Sequence, residues 1–152
     1  MQQSGNEYPF EIEEALGFLM NRAGRLMARR LHELFEQQGH GMPREQWPVL
    51  IHLWLRDGRY QQELADHICR DKGTIARVLE AMEVDNLIVR VQDERDKRQK
   101  RVFLTHKGKN LRTELLPLAQ RLSAQAANGI SEADLHICRK VLKKVYENLL
   151  EA

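Results

Sequence analysis

Between Gln61 and Leu104 the spacing of apolar residues changes from helical to strand-like, and few architectures accommodate both in so short a stretch. Gln61 to Ile68 sets Leu64, Ala65 and Ile68 on one helical face, and Lys72 to Asp85 does the same with Ile75, Leu79 and Met82, with Val78 flanking. Only Cys69-Arg70-Asp71 separates the two. Asp71 suits the start of the second helix, because its carboxylate accepts the free amides of the first turn and meets the positive end of the helix dipole. Asn86 suits the other end, since it tolerates the left-handed conformation of a helix stop. Two short helices joined by a three-residue turn form a helix-turn-helix. From Leu87 the period falls to about 2, with Val89 and Val91 alternating against Arg90 and Gln92, then Val102 and Leu104 against Arg101 and Phe103. That pattern predicts a hairpin. Its tip, Asp93 to Gln99, is too charged to bury and too long for a two-residue turn, so it projects into solvent or onto a partner. Helix-turn-helix followed by hairpin is a winged helix.

Long helices are predicted on both flanks. From Phe10 to Gln38 the apolar residues Leu16, Leu19, Met20, Ala23, Leu26, Met27, Leu31, Leu34 and Phe35 recur at threes and fours, the mark of one long amphipathic helix. Gly39, Gly41 and Pro43 interrupt it, and a second helix follows with Trp47, Leu50, Leu53 and Trp54 on one face, stopping near Asp57-Gly58. After Thr105, a plausible cap, a helix runs to about Ala127, kinked at Pro117 and ended by Gly129. Ser131 with Asp134 opens a last helix in which Leu135, Cys138, Leu142, Val145 and Leu149 form a stripe that needs a partner. The predicted fold class is mainly α with a small β-hairpin wing. It is one domain, 1–152, with a winged helix-turn-helix at 44–105 and helical dimerisation segments at 8–38 and 106–152. A homodimer follows, because the end helices have little apolar surface to cover within one chain. Its expected interface includes Leu16, Leu19, Leu135, Leu142, Val145 and Leu149.

Other classes find little support. The 152 residues suffice for one core without disulfides. Cys69 and Cys138 have neither metal-ligand nor redox-motif spacing, and reduced thiols in a cytoplasm fit best. Met1 to Phe10 lacks the basic and apolar regions of a signal peptide, and no apolar run approaches the length of a membrane span. There is no Gly-rich phosphate loop, HExxH motif or nucleophile elbow, and the six histidines are scattered, so neither an enzyme nor a bound cofactor or metal is expected. His32 and His52 read as partly buried polar residues, and Trp54 as core. Net charge is only +2, yet between Arg90 and Arg101 six basic residues face three acidic ones. That concentration suits a nucleic-acid surface.

The side chains on Lys72 to Asp85 that point away from the core are Lys72, Thr74 and Arg77, near the end that meets base edges when a helix enters the major groove. Arg77 has the fork to bond guanine twice, and Thr74 can bond a phosphate or touch a thymine methyl. At the wing, Arg95 is the candidate for the minor groove, while Lys97, Arg98, Lys100 and Arg101 supply charge for phosphates. A solvated helix face and a mobile charged loop are the bland alternatives, and an adaptor that docks proteins through the same surface is the functional one.

Leu64-Ala65-Asp66-His67-Ile68, Thr74-Ile75-Ala76-Arg77, Asp93-Glu94-Arg95-Asp96-Lys97-Arg98 and Leu104-Thr105-His106-Lys107-Gly108 resemble the signature of the MarR family. The wing-to-helix motif, Asp96-x-Arg98 followed by Val102-x-Leu104-Thr105-x-x-Gly108, is the specific part, and Pro43-Arg44-Glu45-Gln46-Trp47 extends the similarity upstream. The resemblance implies a homodimeric DNA-binding regulator, a repressor on a pseudo-palindromic operator of double-stranded DNA, released by a small aromatic or lipophilic effector. It also implies that Asp93 and Asp96 orient the wing arginines. Departures are Tyr60 where a small polar cap is usual, Cys69 where glycine is common, Gly73 for serine and Gln99 for a small residue. The family's peroxide sensors carry a cysteine in the first helix, and this chain has none there. Cys69, beside Arg70 and Lys72, is the one position where a redox role would be sought.

Overall fold

The computed structural model describes residues 11–152. A short 3-10 turn at Ile12–Glu14 precedes α1 (Leu16–Gln37), α2 (Gln46–Leu55), β1 (Arg59–Tyr60), α3 (Gln61–Ile68), α4 (Lys72–Val84), β2 (Ile88–Gln92), β3 (Lys100–Leu104), α5 (His106–Ala126) and α6 (Glu132–Leu150). The three strands form an antiparallel sheet in the order β1-β3-β2.

The helix-turn-helix is built by its caps. Asp71 accepts the Thr74 amide at 2.8 Å and opens α4, while Asn86, at φ 58°, closes it in the left-handed region. Cys69 takes the same conformation, φ 56° and ψ 45°, at the end of α3. Leu64 and Ala65 of α3, Ile75, Leu79 and Met82 of α4, Val49, Leu50 and Leu53 of α2 and Ile88, Val102 and Leu104 of the sheet make one buried cluster. Phe35 from α1 and Leu115 from α5 enter the same cluster, so the long helices are rooted in the head. Trp54 packs there as expected. Its ring meets Trp47 edge-on at 5.7 Å, and its Nε1 donates to the Gly108 carbonyl at 3.0 Å.

Several expectations are corrected. The first helix does not run unbroken from Phe10: that residue and the 8–10 stretch lie outside the described residues, and Ala15, at ψ 133°, separates the 3-10 turn from α1. β1 is an addition to the expected hairpin, and its two residues are too few to carry a periodicity. On β2 the inward face belongs to Ile88 and Arg90, whereas Val89 and Val91 are 47% and 49% exposed. Arg90 is accommodated because its Nε donates to Glu83 at 2.5 Å. Nor is α3 uncapped: the Glu63 carboxylate reaches back to accept the Tyr60 amide at 3.2 Å, which is one half of a capping box.

α6 stands apart. Ser131 caps it through the Asp134 amide at 3.1 Å, but none of its residues is buried, and among the described residues no other helix or strand packs extensively against it. Leu142 is 42% and Leu149 71% exposed, with Leu135 and Val145 half-buried and Cys138 exposed. α1 similarly leaves Leu16 60% and Leu19 43% exposed. Among the described residues no helix is long and apolar enough to cross a membrane.

Candidate nucleic-acid interface

α4 turns Ile75, Leu79 and Met82 into the core, and the helical period then leaves Lys72 and Arg77 exposed. Thr74 is half-buried and already engaged, since its hydroxyl lies 2.7 Å from the second oxygen of Asp71. It is therefore first a member of the cap, with its methyl and remaining lone pairs left for a partner. The Thr74 amide and hydroxyl together hold the Asp71 carboxyl below the usual carboxylate range.

The wing loop is ordered by two aspartates. Asp96 accepts the Arg98 backbone amide and Nε at 3.1 Å each, so it fixes the foot of an arginine whose side chain is 91% exposed. Its carboxyl is held low, chiefly by that side-chain bond. Asp93 is buried at the base of the loop, where it accepts the Asp96 amide at 3.0 Å and Arg101 Nε at 3.1 Å. Those two donors, the amide first, hold its carboxyl low as well. Arg95, Lys97 and Lys100 point into solvent.

Arg101 differs from the free phosphate-neutralising cation that the sequence suggests. Its Nε bonds Asp93, its Nη1 the Gly58 carbonyl at 3.1 Å and its Nη2 the Tyr60 hydroxyl at 2.9 Å, and its guanidinium lies 4.4 Å from the Tyr60 ring centroid. The Asp93 bond is the main cause of its raised pKa. Arg101 is thus part of the wing's frame. Local sequence patterns do not reveal this arrangement, because Tyr60 and Gly58 lie 41 and 43 positions away from Arg101.

An open groove of about 690 Å³ runs between α3, α4 and the wing base, bordered by Gln62, Asp66, Lys72, Ala76, Arg98 and Lys100. It brings the base of the predicted reading helix and two wing cations onto one concave face, while Arg77 and Arg95 lie outside its lining. Among the described residues no group of His, Cys, Asp or Glu is arranged to hold a metal. Away from this face, the His52 and His67 rings stack at 5.4 Å, and burial, then the charges of His67 and Arg59, push the His52 pKa down.

A capped helix-turn-helix followed by an ordered basic hairpin defines a winged-helix protein, and comparison with known proteins gives the same class. Residues 42–100 match the model of the MarR family. Over that stretch the chain is similar to the MarR family. It is 29% identical over 115 residues to the HTH-type transcriptional regulator TtmR of Methylorubrum extorquens, a match covering 76% of this chain but only 58% of that relative. A MarR transcriptional regulator from Methanosarcina mazei superposes with a TM-score of 0.82 at 28% identity, covering 90% of this chain and 96% of the other. A MarR-family regulator from Listeria monocytogenes, solved with a 26mer DNA, shares the fold at a TM-score of 0.82 and 24% identity, covering 91% of each chain.

Proposed function

We propose that the protein is a homodimeric, sequence-specific DNA-binding regulator that works in the cytoplasm as a repressor. The observation that carries this is that exposed cations from α4 and from the wing, Lys72 with Arg98 and Lys100, border the same open groove. α4 is the element that enters the major groove, with Arg77 reading a base edge and Lys72 and the Thr74 methyl beside it. The wing lies along the flank: Arg95 enters the minor groove, while Lys97, Arg98 and Lys100 neutralise phosphates. Asp93 and Asp96 orient the loop. Support for DNA as the partner comes from the Listeria regulator of the same fold, which was solved with DNA.

The dimer is proposed from the uncovered stripes of α1 and α6, where Leu16, Leu19, Leu135, Leu142, Val145 and Leu149 would meet their counterparts. Two heads related by a two-fold axis require an operator with inverted half-sites centred about one helical turn, ~10 bp, apart. Release by a small aromatic or lipophilic effector belongs to the same proposal. The pocket beside the α1–α2 connection, about 230 Å³ and bordered by Met42, Gln46 and Leu111, falls below the ~300 Å³ at which ligand sites usually begin. An effector site would therefore need walls from the partner's helices.

Selection from a library of genomic promoter fragments tests the function. The expected result is recovery of an inverted repeat. Weak retention with no shared sequence would favour the adaptor reading and refute this one.

A further inference from the structure

We propose that Tyr60 is a positioning residue for DNA binding, one that fixes the angle of the wing against the helix-turn-helix so that both engage the duplex as one rigid body. The inference rests on the DNA-binding reading above. It begins from the shortness of β1, whose two residues provide little backbone pairing to hold the wing to the head. Side chains supply the rest. Tyr60 and Arg101 are direct cross-strand partners, and the tyrosine both accepts the Nη2 bond at 2.9 Å and lies under the guanidinium at 4.4 Å. Arg101 passes the restraint to buried Asp93, and Asp93 to the Asp96 amide inside the wing loop. At its other end Tyr60 is the N-cap residue of α3, held there by Glu63 through its own amide. One residue thus belongs to the first helix of the helix-turn-helix and to the frame of the wing. The Asp96–Arg98 pair is different in kind, since both members lie within the loop and neither reaches the head.

A small polar cap at this position would satisfy the helix but leave Arg101 without its hydroxyl and ring. The clamp also fits the charge pattern. Arg101 would otherwise be one more mobile cation, whereas here it spends its hydrogen bonds internally and leaves Arg95, Arg98 and Lys100 to face outward.

The test compares wild type with Tyr60→Phe, which keeps the ring and loses the hydroxyl, and Tyr60→Leu, which loses both. In the protein without DNA, amide exchange at Asp96 and Gln99 should quicken in Tyr60→Phe and more so in Tyr60→Leu, with the melting temperature of Tyr60→Phe close to wild type. On a duplex carrying the recovered inverted repeat, Tyr60→Phe should bind about three- to tenfold more weakly, in the range of one lost bond to a charged group. In an Arg95→Ala background the same substitution should cost less than about twofold, because the wing-tip contact it positions is already gone. Unchanged exchange at Asp96 and Gln99 would overturn the proposal, as would a binding loss fully additive with Arg95→Ala. If wild type binds no DNA, the function reading fails while the exchange data still decide whether Tyr60 holds the wing.

Discussion

Replacing Gly108 by alanine should loosen the joint between head and long helices, and the size of the effect follows from the contacts. A Cβ built on Gly108 would lie 2.2 Å from the Leu87 carbonyl oxygen and 3.1 Å from a Leu104 methyl. Carbon–oxygen contacts settle at about 3.3–3.6 Å, so the backbone must part by about 1 Å. It is not free to do so. The same Leu87 oxygen accepts the Thr105 amide at 3.0 Å, the Thr105 hydroxyl takes the Gly108 amide at 3.0 Å, and Trp54 donates to the Gly108 carbonyl at 3.0 Å. Overpacking costs about 1–3 kcal/mol and the weakening of two of these hydrogen bonds about 2 kcal/mol in all, against a helix-propensity gain of about 1 kcal/mol for removing glycine. The net loss is about 2–4 kcal/mol, a melting-point drop of about 5–12 °C for a chain of this size. Thermal unfolding by circular dichroism, at equal protomer concentration, measures it. An alanine variant that melts at or above wild type would refute the steric argument and the docking of α5 on which it rests.

Cys69→Gly should act in the opposite direction, because an exposed residue in the left-handed region gives up about 1 kcal/mol of strain; a rise of about 2–4 °C in the same assay is expected, and a fall would show that the thiol does something the geometry lacks. Stability should decline as pH is lowered from 7.5 towards 5. The folded state holds His52 below its ordinary value near 6.5, so the unfolded chain takes up the proton first, and stability is lost from about that value downward. Denaturant titrations across this range check the slope, which His67→Gln should flatten by removing one of its causes. Leu142→Asp combined with Leu149→Asp should dissociate or unfold the protein by light scattering and circular dichroism, whereas an unchanged dimer would remove α6 from the interface.

The parts of the fold that sequence revealed are those fixed by neighbours along the chain. Asp71 and Asn86 delimit α4 through bonds within a turn of themselves, and the periodicity of Leu64, Ile75, Leu79 and Met82 is a local property. The parts it concealed depend on partners distant in sequence. With Ile88, Val89 and Val91 all apolar, nothing in β2 alone says which face is inward; the choice is made by Glu83 taking Arg90. Arg101 looked like its neighbours Lys100 and Arg98 until Tyr60 and Gly58 were brought to it by the β1–β3 pairing. At Tyr60 the cap comes not from the tyrosine but from Glu63, three positions on, a local signal that sequence does carry. The exposed stripe of α6 was legible because a heptad spacing advertises an uncovered face as plainly as a covered one.

The central claim is that α4 reads bases while the wing supplies backbone attraction, and fluorescence anisotropy on the recovered operator and on a scrambled duplex, across a salt series, tests it most directly. Arg77→Ala should cost ~1–3 kcal/mol on the operator and little on scrambled DNA, flattening preference at one symmetric pair of positions. Lys100→Ala should weaken both duplexes alike and reduce the salt slope by about one per head. Arg95→Ala should weaken binding most where the flanks are A·T-rich. Equal losses for all three variants on both duplexes would contradict the account.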